Sequence, residues 1–152
     1  MKLKAATTMM LACATLLSIS GCASKIYQHP LLVSTPSEPS AEVSFIREDG
    51  MAGAAVAVPV YVNDEKLLQL RRATYAKVSL KSGTYQVEAR RLNEQPGNPW
   101  ITCGGPMEFV AGKTYFVLLS FVAVDSGMCF RPNFITEEGA RSLMTSYTAV
   151  GQ

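Results

Sequence analysis

The sequence is poor in the residues that most catalytic and metal sites require. His29 is its only histidine, and no CxxC or HxxxH spacing occurs. Nucleophilic catalysis needs a base beside the nucleophile, and zinc sites need clustered Cys and His ligands. No glycine-rich segment has the spacing of a phosphate-binding or dinucleotide-binding loop. We therefore expect no enzymatic activity, no metal site and no cofactor.

The chain also lacks a strong excess of charge of either sign. The formal net charge of the 152 residues is +2, and loss of Lys2 and Lys4 with a leader peptide would leave zero. A neutral domain offers no electrostatic footprint for nucleic acid. Nucleic acid is therefore not an expected partner.

What is present at the N-terminus predicts a lipoprotein signal peptide over residues 1–21. Two lysines form a positive n-region, and residues 5–19 form an apolar h-region that is too short to span a bilayer comfortably. The four residues at the cleavage site resemble a bacterial lipobox: Ile19, Ser20, Gly21 and Cys22. We expect the signal peptidase to recognise the first three and to cleave before Cys22, whose thiol carries the lipid.

Lipidation predicts where the mature protein resides. Two or three acyl chains hold a protein stably at a membrane, whereas one chain gives marginal binding. Ala23 and Ser24 follow Cys22, in place of the aspartate that retains enterobacterial lipoproteins at the inner membrane. By that analogy we expect a cell-envelope protein, anchored by its lipid to the outer membrane and facing the periplasm.

The cysteines predict one disulfide. Cys13 leaves with the signal peptide and Cys22 is lipidated, which leaves Cys103 and Cys129 as an even pair in an oxidising compartment. We predict a bond between these two residues. A two-cysteine share of a metal site and a pair of free thiols are the alternatives.

We predict that residues 22–40 comprise the lipidated cysteine and a flexible tether. The stretch 34–40 is rich in Pro and Ser and has no periodicity, which favours an extended and solvated chain. His29 lies in this segment, and we expect its side chain to be exposed.

From residue 41 to residue 150 the dominant hydrophobic period is two, which is the signal of β-strands. Asn63-Asp64 predicts a hairpin turn, and Pro59 predicts an edge strand or a bulge. Thr136 is suited to cap a short C-terminal helix. We therefore predict a mainly β domain, namely a small antiparallel β-sandwich of about seven to eight strands with one short C-terminal helix.

Three segments resemble motifs of a known family. Residues 58–67 (VPVYVNDEKL) resemble a "VYVNGxKL" strand-turn-strand, 81–87 (KSGTYQV) a "PPGxYxV" turn, and 111–117 (AGKTYFV) an "AGKTYYV" strand. Their order resembles that of a bacterial lipoprotein family, domain of unknown function 2846, over roughly residues 41–147. The resemblance implies an immunoglobulin-like or transthyretin-like sandwich and transfers no functional residues. Asp64 replaces the usual Gly, and Ser82 a frequent Pro.

Few residues are candidates for an interface. Trp100 stands in a loop rich in Pro and Gly, where it either covers the end of the sandwich or anchors a partner. Arg90 and Arg91 form a short basic pair, as do Arg71 and Arg72. We interpret these pairs as exposed strand ends. If the fold brought them together, they would form a basic patch that contacts anions.

Two functions remain open from the sequence. The first is a non-enzymatic, membrane-anchored module that binds another envelope protein through an edge strand or the loop around Trp100. The alternative is a small-ligand or peptidoglycan-binding module at the outer membrane, which would need a concave pocket with convergent polar groups.

Overall fold

The computed structural model describes residues 23–33, 35, 37–90 and 100–151. The elements in chain order are β1 (Lys25–Ile26), β2 (Ser40–Arg47), β3 (Val58–Val62), β4 (Glu65–Leu70), β5 (Thr74–Lys81), β6 (Gly83–Ala89), β7 (Cys103–Phe109), β8 (Thr114–Val124), β9 (Gly127–Phe134), α1 (Glu137–Ser146) and β10 (Thr148–Ala149). The first sheet has the order β1-β4-β3-β6-β7 and the second has the order β10-β5-β2-β8-β9. This confirms the predicted small β-sandwich with one short C-terminal helix.

Most strand pairs are antiparallel, but two are parallel. β2 lies beside β8 in parallel, with Phe45 opposite Val117, and β10 lies parallel to β5. A parallel pair needs a long connection between its strands, and here β3, β4, β5, β6 and β7 all lie between β2 and β8 in the chain. Periodicity within a strand carries no information about such a distant partner.

The core lies between the two sheets. Alternate residues of each strand point inward, as in β2, where Ala41, Val43 and Phe45 are almost fully buried while Glu42 is exposed. The same alternation holds in the central strands of the first sheet. Burial of one face of each sheet is what the period of two predicts.

The hairpin between β3 and β4 turns at the predicted residues. Asn63 and Asp64 adopt φ values of 47° and 69°, which suits a two-residue turn with positive φ at both positions. Pro59 does not mark an edge, because β3 lies between β4 and β6. Instead the β3–β4 register shifts between Val60 and Tyr61, so the predicted irregularity lies just beyond Pro59.

Residues 23–33 pack against the sandwich, which differs from the prediction of a flexible tether over 22–40. We call residues 23–33 the N-terminal strap. In the first sheet β1 pairs with β4, and the Tyr27 N–H donates to the Leu67 carbonyl at 2.8 Å. In the second sheet the Val33 N–H donates to the Ser79 carbonyl of β5 at 2.9 Å. The folded domain therefore begins before the predicted boundary at residue 41.

The prediction of an exposed His29 is wrong. This residue is only 8% exposed, and its Nδ1 accepts a hydrogen bond from the Leu31 N–H at 3.1 Å. The Nε2 atom then carries the proton and lies 3.4 Å from the Val62 carbonyl oxygen. The tether was predicted from the Pro and Ser content of 34–40, which does not extend to the strap. The strap itself has no hydrophobic periodicity that would indicate burial.

The free edges of the two sheets are covered or interrupted. The strap and β10 border β4 and β5 on one side of the sandwich. On the other side β7 contains Pro106 and β9 contains Pro132. Proline has no N–H and interrupts an edge that another strand could extend. Binding of a partner through an edge strand is therefore less favoured than the sequence analysis expected.

Gly104 provides a test of the β6–β7 pairing. A Cβ at this position would stand 2.1 Å from the Val87 carbonyl oxygen, whereas a Cβ at Gly105 would meet nothing within 4 Å. We expect Gly104→Ala to lower the free energy of unfolding by about 1–3 kcal/mol because the strands must separate. Gly105→Ala should change it by less than about 0.5 kcal/mol. Urea denaturation measures both, and equal losses would contradict this register.

Candidate functional site

A groove lies between helix α1 and the outer face of the second sheet. It has a volume of about 560 Å³, and its walls come from β2, β5, β8 and α1. Glu42 and Lys77 project from the sheet wall, while Glu137 and Arg141 belong to the helix wall. We call this feature the helix–sheet groove.

Helix α1 is positioned by its cap and by one small residue. The Thr136 hydroxyl accepts a hydrogen bond from the Gly139 N–H at 3.2 Å, which satisfies one of the unpaired amides of the first turn. Ala140 is fully buried, so the helix contacts the body of the protein at this short side chain. Glu137 and Arg141, on the first half of the helix, line the groove.

Charges of both signs line the groove, and several are paired within the chain. The Ser79 hydroxyl donates to the Glu42 carboxylate across neighbouring strands. The Arg141 Nε donates to Glu137 at 2.8 Å along one turn of the helix. A surface with balanced and internally paired charges does not concentrate anions or cations. The groove is therefore suited to a mixed polar surface rather than to a highly charged small ion.

Trp100 closes one end of the sandwich. Its ring stacks on Phe130 with a centroid distance of 5.5 Å and an interplanar angle of 8°, and it meets Phe121 edge-on at 6.1 Å. The Ile101 N–H donates to the Met128 carbonyl at 2.8 Å, which fixes this segment against β9. Of the two interpretations of Trp100, the packing favours a cover over the core.

Arg47 is a buried cation next to this aromatic cluster. It is fully buried, and its guanidinium donates to the carbonyls of Gly53, Val56 and Leu70 and lies 4.6 Å from the Phe130 ring centre. Burial lowers the pKa of Arg47 to about 10, so the side chain stays protonated at neutral pH. Its Nε has no hydrogen-bond partner among the described residues. Sequence analysis did not predict the burial of Arg47, because a charged residue at the end of a strand is usually exposed.

Arg90 and Arg72, one from each predicted basic pair, are engaged in ion pairs within the chain. Arg90 forms ion pairs with Asp64 and Glu88, and its guanidinium lies 4.3 Å from the Tyr61 ring centre. Burial lowers the pKa of Arg90, but the hydrogen bonds to these two carboxylates outweigh it and raise the pKa. Arg91 lies outside the described residues. Arg72 pairs with Asp49 at 3.5 Å.

The predicted disulfide is confirmed. Cys103 and Cys129 are bonded, with 5.9 Å between their Cα atoms. The bond joins β7, at the edge of the first sheet, to β9, at the edge of the second. It therefore holds the two sheets together on the side that the strap does not cover.

The signal peptide predicted over 1–21, with Ile19, Ser20, Gly21 and the lipidation site Cys22, lies outside the described residues. It stays a prediction. In the part of the chain that the structure describes, a helix with the length and hydrophobicity to cross a bilayer is absent. The same residues contain no group of three or more His, Cys, Asp or Glu side chains that could hold a metal ion.

The groove was also missed by sequence reasoning. The only signals were polar residues on the outer face of β2, such as Glu42 and Ser44, and the amphipathic pattern of the C-terminal helix. Neither signal says that α1 returns over β2 and β8. No family model matches the chain, and no curated protein or solved structure matches it either.

Proposed function

We propose that the protein is a lipid-anchored, non-enzymatic interaction module of the cell envelope that binds another envelope protein in the helix–sheet groove. The lipobox ending at Cys22 supports the anchor. The Cys103–Cys129 disulfide supports export, because such bonds persist in oxidising compartments such as the periplasm.

The chemistry of the groove carries the proposal. Seven of its ten lining residues are polar or charged, whereas small-molecule sites are lined mainly by apolar side chains with few polar groups. Interfaces between proteins that associate reversibly are mixed in composition, with polar rims. The apolar contribution of Phe116 and Met144 on facing walls gives such an interface a small hydrophobic centre.

Photo-crosslinking in the native envelope tests the proposal. A photoreactive residue at Thr145, on the helix wall, is expected to crosslink the full-length protein to one recurrent envelope protein. Gln86, which is exposed on the outer face of the first sheet, is the matched control and should give no such product. The Cys22→Ala variant should lose the product, because it lacks the membrane anchor. Mass spectrometry identifies the crosslinked partner.

A charge reversal in the groove distinguishes specific binding of the partner from crosslinking to proteins that are merely nearby. Lys77→Glu is expected to lower the Thr145 crosslink yield about tenfold, because an unfavourable charge at an interface costs at least the ~1.4 kcal/mol that this factor represents. Lys113→Glu, in an exposed turn outside the groove, is the control. Circular dichroism verifies that both variants fold. Crosslinks to the same abundant proteins from Thr145 and Gln86 would reject the groove as a recognition site.

One observation favours a second function. The groove volume of about 560 Å³ lies within the range of roughly 300–1,000 Å³ that small-ligand sites occupy. A peptidoglycan fragment or another small polar ligand would then bind there. Thr145 crosslinks to glycan fragments, together with thermal stabilisation by such fragments that Lys77→Glu abolishes, would support this alternative over a protein partner.

A further inference from the structure

The chain is fixed to the sandwich from the first residue that follows the predicted lipidation site. The Ala23 carbonyl accepts a hydrogen bond from the Gln69 side chain at 2.7 Å, and Gln69 is itself only 8% exposed. The Ser24 hydroxyl accepts a hydrogen bond from the Arg71 N–H at 2.9 Å and lies 3.2 Å from the Thr74 hydroxyl. No free spacer therefore separates Cys22 from the folded domain.

This attachment continues along the whole strap. Two cations lie over the Tyr27 ring, with the Lys25 ammonium at 5.2 Å and the Lys66 ammonium at 4.5 Å from its centre. The strap then reaches the opposite end of the sandwich, where the Lys81 N–H donates to the Leu31 carbonyl at 2.9 Å. Release of the strap would break these contacts together and would expose the buried His29.

The position of Ala23 defines one end of the molecule. β4 ends there, β5 begins there, and the C-terminal end of β2 lies opposite the start of β5, with Arg47 paired to Thr74. The β8–β9 hairpin projects past this level, because Leu119 pairs with Arg47 and β8 continues to Val124. We call residues 23–24, 48–57, 71–73 and 120–128 the anchor end. The opposite end holds the turn at Ser82. The eight residues of β5 separate the two ends by about 27 Å.

We propose that the sandwich rests directly on the lipid headgroups by its anchor end, with its strands pointing away from the membrane. This inference rests on the lipidation of Cys22 in the proposed function. Consecutive Cα atoms are about 3.8 Å apart, so a diacylglyceryl group on Cys22 holds Ala23 at the level of the headgroups. The predicted flexible tether over 22–40 would let the domain move away from the membrane, which does not fit a strap bound from Ala23 onward.

The anchor end presents side chains that suit a phospholipid surface. Arg71 and Arg72 are exposed in the turn beside Ser24, and arginine binds phosphate oxygens through paired N–H donors. Met51 is 84% exposed, and its sulfur lies 4.0 Å from an Arg72 guanidinium nitrogen. Among the acidic groups at this end, Asp49 pairs with Arg72 and Glu48 accepts the Phe121 N–H, whereas Asp125 is exposed in the β8–β9 turn.

Site-specific quenching tests this orientation. The lipidated protein is labelled with a fluorophore through Met51→Cys or Ser82→Cys and reconstituted in phosphatidylethanolamine–phosphatidylglycerol vesicles that contain a headgroup nitroxide lipid. The label at 51 should be quenched at least about threefold more than the label at 82, which lies ~27 Å further from the bilayer. Equal quenching at both sites, or none at either, would overturn the proposal.

A spacer provides the matched control, and fatty-acid labelling separates the two proposals. Insertion of a flexible Gly-Ser segment between Cys22 and Ala23 should abolish the difference in quenching while the protein stays membrane-bound. A wild-type protein that incorporates no fatty acid would reject the anchor and this orientation together. Fatty-acid incorporation that Cys22→Ala abolishes, without selective quenching at 51, would reject the orientation alone.

Discussion

Replacing Arg47 with methionine is expected to lower the free energy of unfolding by about 3–5 kcal/mol. Its guanidinium provides the donors for the carbonyls of Gly53 and Val56, in the loop between β2 and β3, and of Leu70, at the end of β4. Methionine fills much of the volume but leaves these acceptors without a partner in a region that excludes water. Urea denaturation monitored by circular dichroism measures the loss.

Two further variants show that the geometry of Arg47 matters as well as its charge. Arg47→Lys keeps the cation but cannot reach three carbonyls in a planar arrangement, so its loss should be intermediate. Arg72→Met is the control, since the Arg72–Asp49 pair is exposed and such pairs contribute about 0–1 kcal/mol. A loss at Arg47→Met no larger than that of Arg72→Met would contradict the assigned role.

Removal of the disulfide is expected to destabilise the sandwich by roughly 3 kcal/mol and to lower its melting temperature by about 10 °C. The bond closes a loop of 26 residues and joins the edge strands β7 and β9, so its loss increases the conformational entropy of the unfolded chain. Differential scanning calorimetry of the Cys103→Ala/Cys129→Ala variant measures the change.

Reduction of the wild-type protein is the matched comparison for this double variant. A reductant should lower the melting temperature of the wild type and leave that of the double variant unchanged. Cys129 is fully buried, so the double variant also loses some packing and should be slightly less stable than the reduced wild type. A melting temperature of the wild type that does not respond to the reductant would contradict a stabilising role for the bond.

Much of the architecture follows from local patterns. Residues two apart along a strand share a face, so Ala41, Val43 and Phe45 indicate both the strand and its buried side. The Asn63-Asp64 turn was predicted because these residues tolerate positive φ. The C-terminal helix was predicted from the Thr136 cap and the change of period that follows it.

The candidate site was less predictable, because it depends on contacts between distant segments. The groove requires α1 to lie beside β2, and the parallel β2–β8 pair joins residues that are far apart in the sequence. Trp100 was recognised as unusual, yet only its stacking on Phe130 favours a cover over the core. The burial of Arg47 depends on three carbonyls from other segments, which no local pattern describes.

The sequence by itself determined the mainly β class, the disulfide pair and the prediction of a lipid anchor at Cys22. These depend on periodicity, on the count of cysteines and on a short contiguous motif, all of which are local properties. The tertiary structure alone decided that the strap binds along β4, that Arg47 is buried and that a groove forms beside α1. The reason is that hydrogen bonds and burial between distant segments depend on how the whole chain packs. Local composition, such as that of 22–40, carries no information about this packing.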